Sequence, residues 1–164
     1  MSSSYTYTLY IALRDDLSPV ECAALDYLFN DGPCPAQWPA HAFFQEGGVP
    51  ERLGRQEGFP AGAFVSAFWR AADHPGMFSG VHYACPNLKM EWFYEVHLAL
   101  AGWLASLSSA RGHVGAFKNQ DDDAGLPLLL YVYDRTLYLQ VLERGVELLS
   151  ADTGEAYAWP ERAN

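Results

Sequence analysis

The 164-residue chain is predicted to fold as a single α+β domain: a ferredoxin-like (split βαβ) antiparallel sheet, two helices on one face and an extra C-terminal β-hairpin. Two patterns predict this class. Apolar residues alternate with a period of two in several short segments, as in strands, and recur every three or four residues in two longer segments, as in helices. These segments follow one another as strand, helix, long loop, two strands, helix, strand and hairpin, which is a split βαβ order with additions.

The first strand and the first helix have the clearest local signals. The side chains of residues 5–14 alternate, so that the even-numbered ones, Tyr10 among them, share one face of the predicted strand. Ser18 and Glu21 form a capping box, with a proline at the first helical position. This pattern predicts a helix that runs to Phe29.

Residues 30–62 are predicted to be an irregular insertion, because they hold five of the ten prolines and six of the fourteen glycines. We expect one short ordered segment within it, around residues 41–44. A long loop in a compact domain is often functional or mobile, and a packed insertion without a function is the alternative.

Two strands are predicted at 63–70 and 77–85, joined by a turn at 73–76. Bulky side chains alternate along the first of them, which predicts that both of its faces are buried: Phe64 and Phe68 on one, Val65 and Trp69 on the other.

The second helix is predicted at 90–109. His97 flanks its apolar arc, where we expect a semi-buried, hydrogen-bonded side chain. Cys85, just before the helix, is expected to be buried and inert. On a helical wheel the apolar arc comprises Trp92, Phe93, Val96, Leu100, Trp103, Leu104 and Leu107.

After a strand at 113–118, residues 127–142 are predicted to form a hairpin that turns at Asp134 and Arg135. This register places Tyr131 opposite Tyr138 and gives one aliphatic face, which predicts the core side. The acidic tail at 143–164 is expected to add one more edge strand.

The face of the sheet away from the helices is predicted to carry tyrosines that have no hydrophobic place inside the monomer. Tyrosine combines a large apolar area with a hydroxyl group, which suits a surface that binds another protein or a second copy of the chain. The predicted binding residues are Tyr10, Tyr131, Tyr133 and Tyr138.

The composition of the chain excludes some classes of partner and some locations. A net charge of −10 repels nucleic acid, and no cluster of basic residues offsets it. No apolar stretch is long enough to cross a membrane. Three cysteines at unrelated spacings predict a reducing, cytoplasmic location rather than a disulfide framework.

No catalytic or cofactor motif is present. The five histidines lack short metal-ligand spacings, and neither a nucleophile elbow nor a phosphate-binding glycine loop occurs. We therefore expect no metal and no cofactor.

The leading functional hypothesis is a non-catalytic, acidic binding protein for a protein partner, with immunity-type neutralisation of a basic protein as one form. A homodimerisation module is one alternative. The other is a small-ligand-binding protein or enzyme with an aromatic pocket under the 30–62 loop, lined by Trp38, His41, Phe43, Phe44, Trp69 and His82, in which His41 or His82 acts as acid or base.

Overall fold

The computed structural model describes residues 3–45, 53, 59–60, 62–69 and 78–159. The predicted turn at 73–76, much of the 30–62 insertion and the end of the tail lie outside these residues, as does the side chain of Trp69. The strands are β1 (Tyr5–Ala12), β2 (Phe64–Trp69), β3 (Phe78–Leu88), β4 (Gly112–Asn119), β5 (Leu128–Tyr133), β6 (Thr136–Val141) and β7 (Leu149–Ser150).

These strands form one antiparallel sheet in the order β2-β3-β1-β4-β5-β6-β7. The α+β class, with two long helices, is therefore confirmed. The seven-stranded order differs from that of a four-stranded ferredoxin-like sheet, so the ferredoxin-like assignment stays a prediction.

Helix α1 spans Pro19–Asn30 and begins with the predicted capping box. The Ser18 hydroxyl accepts a hydrogen bond from the Glu21 backbone N–H at 3.2 Å, and the Glu21 carboxylate accepts one from the Ser18 N–H at 2.9 Å. Two of the N–H groups that a helix start leaves without partners are thereby satisfied. Asp31 follows in the left-handed conformation, which ends the helix.

The second helical segment, here α2, consists of an α-helical turn at Met90–Trp92, a π-helical stretch at Phe93–His97 and an α-helix at Leu98–Ser106. The π-helical stretch changes the angular spacing of the side chains that a regular helical wheel assumes. Trp92, predicted on the apolar arc, is 38% exposed as a result. His97, predicted to be semi-buried, is fully buried.

Both helices pack on the same face of the sheet. Phe29 of α1 contacts Tyr83 of β3, with ring centroids 5.5 Å apart, and Phe93 of α2 contacts Tyr7 of β1 at 5.2 Å. Tyr7 and Tyr83 are themselves neighbours on adjacent strands, 5.5 Å apart. The buried side chains of β1, β3, α1 and α2 belong to one hydrophobic core on this side.

The C-terminal hairpin is confirmed in its predicted register. Tyr131 lies opposite Tyr138, and both Asp134 and Arg135 have positive φ angles, as a two-residue turn of type I′ requires. The short strand β7 pairs with β6 at the edge. Within the described residues, no helix is long and apolar enough to span a membrane.

Candidate functional site

The face of the sheet opposite α1 and α2, here called the outer face, carries the candidate site. Strand alternation sets which residues it presents. Tyr10 of β1 pairs with His82 of β3, which pairs with Ser66 of β2, so these three side chains share one side of the sheet. Among the described residues neither long helix lies on this side.

One end of the outer face holds a group of exposed aromatic side chains, here called the open patch: Tyr10, Phe64, Phe68 and His82. Tyr10 is 59% exposed, Phe64 53% and Phe68 37%. Their rings surround His82, with centroids at 6.4 Å from Tyr10, 5.6 Å from Phe64 and 6.5 Å from Phe68. The expected burial of both faces of β2 is therefore wrong for Phe64 and Phe68 in this chain.

The 30–62 insertion does not cover the open patch with any residue that the structure describes. Its aromatic side chains pack on the helical side instead, where Trp38 contacts Tyr27 of α1 at 5.6 Å and Phe44 contacts Trp103 of α2 at 4.7 Å. The expected ordered segment is a 3-10 helix at Ala42–Gln45.

The other end of the outer face holds a second aromatic group that the tail of the chain covers. Tyr157 stacks on Tyr133 at 4.9 Å and meets Tyr138 edge-on at 4.8 Å. Trp159 contacts both Tyr133 and Tyr157, and is itself 62% exposed. The predicted binding residues thus separate: Tyr131, Tyr133 and Tyr138 are half-buried beside or beneath the tail, whereas Tyr10 belongs to the open patch.

Of the six residues predicted to line an aromatic pocket, the five whose side chains the structure describes do not gather in one place. Phe44 contacts both Trp38 and Phe43, and His41 lies between Trp38 and Phe43 in the sequence of the same loop. His82 lies across the sheet from them, on the outer face. Trp38 and His41 do line a cleft of about 370 Å³ together with Glu21.

A buried polar group lies between the sheet and the helices. The hydroxyls of Tyr7 and Tyr83 are buried and have no hydrogen-bond partner among the described residues. Burial raises the pKa of both phenols well above the usual value, with a smaller contribution from the neighbouring Cys85. Burial also raises the pKa of the Cys85 thiol to about 12. Cys85 is fully buried, as predicted, and a raised pKa favours its neutral thiol, the less reactive form.

His97 completes this group, with its ring centroid 6.2 Å from Tyr7 and 6.0 Å from Tyr83. Phe59, from the end of the insertion, contacts His97 and Tyr83 from the helical side. In the described ranges no three His, Cys, Asp or Glu side chains converge as metal ligands.

Comparisons of the chain with protein-family models, curated protein sequences and solved structures find no match.

The sequence predicted Tyr10 as a binding residue and His82 only as a pocket residue, and it did not predict the exposure of Phe64 and Phe68 beside them. The register that joins β1, β2 and β3 is a long-range property. The packing of the tail on the outer face was also not predicted, although Tyr157 and Trp159 alternate as strand residues do and could indicate one more aromatic face.

Proposed function

We propose that this protein is a non-catalytic binding protein that recognises a basic protein partner through the open patch. The exposure of Tyr10, Phe64 and Phe68 on a sheet face that neither α1 nor α2 covers carries this proposal. Aromatic side chains dominate the energy of many protein–protein interfaces, because each buries a large area with little loss of rotamer freedom.

The contacts of the tail of the chain support recognition of aromatic side chains by the outer face. On the same face of the same sheet, Tyr157 and Trp159 pack against Tyr133 and Tyr138 with ring centroids near 5 Å. The outer face therefore accepts aromatic side chains from an extended segment. A partner that presents similar side chains would make equivalent contacts with Tyr10 and Phe64.

Charge supports a basic partner over a second copy of the chain. Each copy carries a net charge of −10, so two copies repel one another, whereas a cationic protein is attracted from a distance. Immunity-type neutralisation of a basic protein is one biological form that such binding can take.

The test uses short random peptides displayed on phage and selected against the immobilised full chain. We expect the recovered peptides to combine aromatic residues with Lys or Arg, and to bind more weakly as salt is raised. Replacing two patch residues (Tyr10→Ser with Phe64→Ser) should weaken their binding about tenfold or more, as loss of interface anchors does.

The matched control is Tyr94→Ser, which removes an aromatic side chain that is 52% exposed on α2, away from the patch. Peptides that bind the patch variant as tightly as the unchanged chain contradict the proposal. If uncharged peptides bind at the patch and their binding does not change with salt, the proposal that the partner is basic is contradicted. Sedimentation velocity tests the alternative of a homodimerisation module. In that case the unchanged chain would sediment as a dimer, and the patch substitutions would dissociate it.

We also propose that β1 to β4 with both helices form a ferredoxin-like core to which β5, β6 and β7 are added. The antiparallel placement of β3 between β1 and β2 supports this. Amides of β1 and β3 should then exchange with solvent most slowly, and faster exchange there than in β5 and β6 would contradict it.

A cytoplasmic location is proposed as well, since Cys22, Cys34 and Cys85 are all free thiols. Recovery of the chain outside the cytosol on cell fractionation would contradict it.

A further inference from the structure

A second candidate site lies on the helical side of the molecule and does not depend on partner binding at the open patch. It is the cleft of about 370 Å³ between the first turn of α1, the loop at 37–41 and the last turn of α2. This volume is within the range of small-molecule sites. The outer face and its aromatic groups lie on the opposite side of the sheet.

The apolar wall of the cleft is the indole ring of Trp38, which its neighbours hold in place. Phe44 stacks on Trp38 with ring centroids 5.3 Å apart and an interplanar angle of 18°, and Tyr27 meets it edge-on. Trp103, which also lines the cleft, packs against Phe44 in turn. A ring held in this way loses little conformational entropy when a ligand packs against it.

Hydrogen-bonding groups stand beside this wall. His41 lines the cleft, and its Nδ1 accepts a hydrogen bond from the Phe43 backbone N–H at 3.2 Å. The proton of the neutral imidazole is therefore on Nε2, where it can be donated to a ligand. Burial lowers the pKa of His41, against a smaller opposite effect of Asp152, which favours the neutral ring. The exposed amide of Gln37 adds a donor and an acceptor.

The charges at the cleft are already paired. Arg14 binds the Glu21 carboxylate through Nη2 at 3.2 Å, donates to the Ser106 carbonyl through Nη1 at 2.9 Å, and contacts Asp16 through Nε at 2.8 Å. Glu21 can still accept a hydrogen bond, but its charge is offset. Neither an anion nor a cation finds an unpaired opposite charge among the described residues that line the cleft.

We propose that this cleft binds a small uncharged polyhydroxy ligand, a pyranose sugar, whose apolar face packs on Trp38 and whose hydroxyls bond to His41, Gln37 and Glu21. A flat indole beside neutral donors and one shared acceptor matches both the apolar and the hydroxyl-bearing sides of such a ring.

The experiment titrates the full chain with D-glucose, D-galactose, D-mannose and N-acetyl-D-glucosamine, and follows amide and indole N–H resonances by NMR. We expect at least one sugar to shift the Trp38 indole and the 37–41 amides saturably, with a dissociation constant on the order of millimolar, as for a small ligand in an open site. D-glucosamine and D-glucuronate, the charged analogues, should bind more weakly.

Trp38→Ala should abolish the shifts, and His41→Gln, which keeps a polar side chain of similar length, should weaken them. Trp92→Ala is the matched control, since it removes an exposed tryptophan at the other end of α2. If Trp38→Ala unfolds the chain, Gln37→Ala supplies the same test, because Gln37 is exposed.

Absence of a saturable shift with all four neutral sugars overturns the proposal, and so does tighter binding of a charged analogue. Sugar binding that Tyr10→Ser with Phe64→Ser leaves unchanged supports it independently of the open patch. Peptide binding that the two patch substitutions leave unchanged, together with intact sugar binding, would contradict only the partner proposal.

Discussion

The side-chain amide of Asn30, at the end of α1, pairs with the backbone of Ala67 in the edge strand β2. Asn30 Nδ2 donates to the Ala67 carbonyl oxygen at 3.1 Å, and the Ala67 N–H donates to Asn30 Oδ1 at 3.1 Å. β2 is the last strand of the described sheet on this side. The two hydrogen bonds from Asn30 take the place of those that a further strand would make with Ala67. Edge strands with open N–H and C=O groups are sites of unwanted pairing, and here a side chain occupies them.

Asn30→Ala should therefore lower stability and promote self-association. Ala67 is almost fully buried, so its freed backbone groups should cost roughly 1–3 kcal/mol in the free energy of unfolding. Urea unfolding measures that loss, and sedimentation velocity at rising concentration measures association through the edge. Asn87→Ala, at an exposed asparagine of β3, is the control. Equal stability and equal sedimentation of the two variants would show that the Asn30 pairing is incidental.

Alanine substitutions at two glycines, one in β4 and one in α2, test how closely the backbones of β4 and β1 pack. A Cβ atom added at Gly115 would overlap the Thr8 carbonyl oxygen and lie 3.1 Å from the Leu9 Cα, both of them backbone atoms. Gly102, in α2, has nothing within 4 Å of the same position. Gly115→Ala should destabilise the chain by about 1–3 kcal/mol, and Gly102→Ala should stabilise it by about 0.5–1 kcal/mol. Thermal unfolding of both variants checks the sign, and a tolerated Gly115→Ala would mean that the two strands separate easily.

The features predicted from sequence are those that local chemistry decides. Ser18 and Glu21 are three residues apart and bond to each other's backbone, so their pattern alone marks the start of α1. The hairpin of β5 and β6 is equally local, because its turn at Asp134 and Arg135 fixes the register of everything that follows.

The features missed depend on contacts between distant segments. A regular wheel placed Trp92 inside and His97 only at the margin of the apolar arc, because nothing in the sequence announces the π-helical stretch. The exposure of Phe64 and Phe68 depends on what lies against the outer face, and two alternating phenylalanines look the same whether they are covered or free. The position of Tyr10 on that face was predictable, since the alternation of β1 is local.

The tail should contribute measurable stability through Tyr157, which contacts Tyr133, Tyr138 and Trp159. Tyr157→Ala removes these three ring contacts, and aromatic pairs contribute about 0.5–1.5 kcal/mol each beyond the area they bury. We expect a loss of about 1–3 kcal/mol in the free energy of unfolding, since such terms are not fully additive. Val146→Ala, at a side chain 83% exposed near the same edge, is the control. A tail that only frays over the sheet would make the two variants equally stable.

The last prediction concerns alkaline stability and rests on Tyr7 and Tyr83. Burial raises the pKa of both phenols in the folded chain, whereas in the unfolded chain they ionise near the ordinary value of 10.0. Their contribution to stability is therefore complete below pH 10 and is lost as the pH rises above it, because only the unfolded chain then releases protons. The Cys85 thiol, whose pKa burial raises from the ordinary value of 9.0 to about 12, lowers stability in the same way between those two pH values. The free energy of unfolding should fall by up to about 1.4 kcal/mol per pH unit for each such group.

Tyr7→Phe separates this ionisation from packing, because it keeps the ring and removes a hydroxyl that has no partner in the described chain. Near pH 7 the variant should be as stable as the unchanged chain or more so by about 1 kcal/mol, since an unsatisfied buried hydroxyl is removed. Above pH 10 its stability should fall less steeply. Urea unfolding at a series of pH values between 7 and about 11 measures both effects, with the exposed Tyr10→Phe as control. A Tyr7→Phe variant that is less stable at pH 7 would mean that the Tyr7 hydroxyl forms a hydrogen bond in the folded protein. The hydroxyl would then stabilise the fold and would not be an unsatisfied buried group.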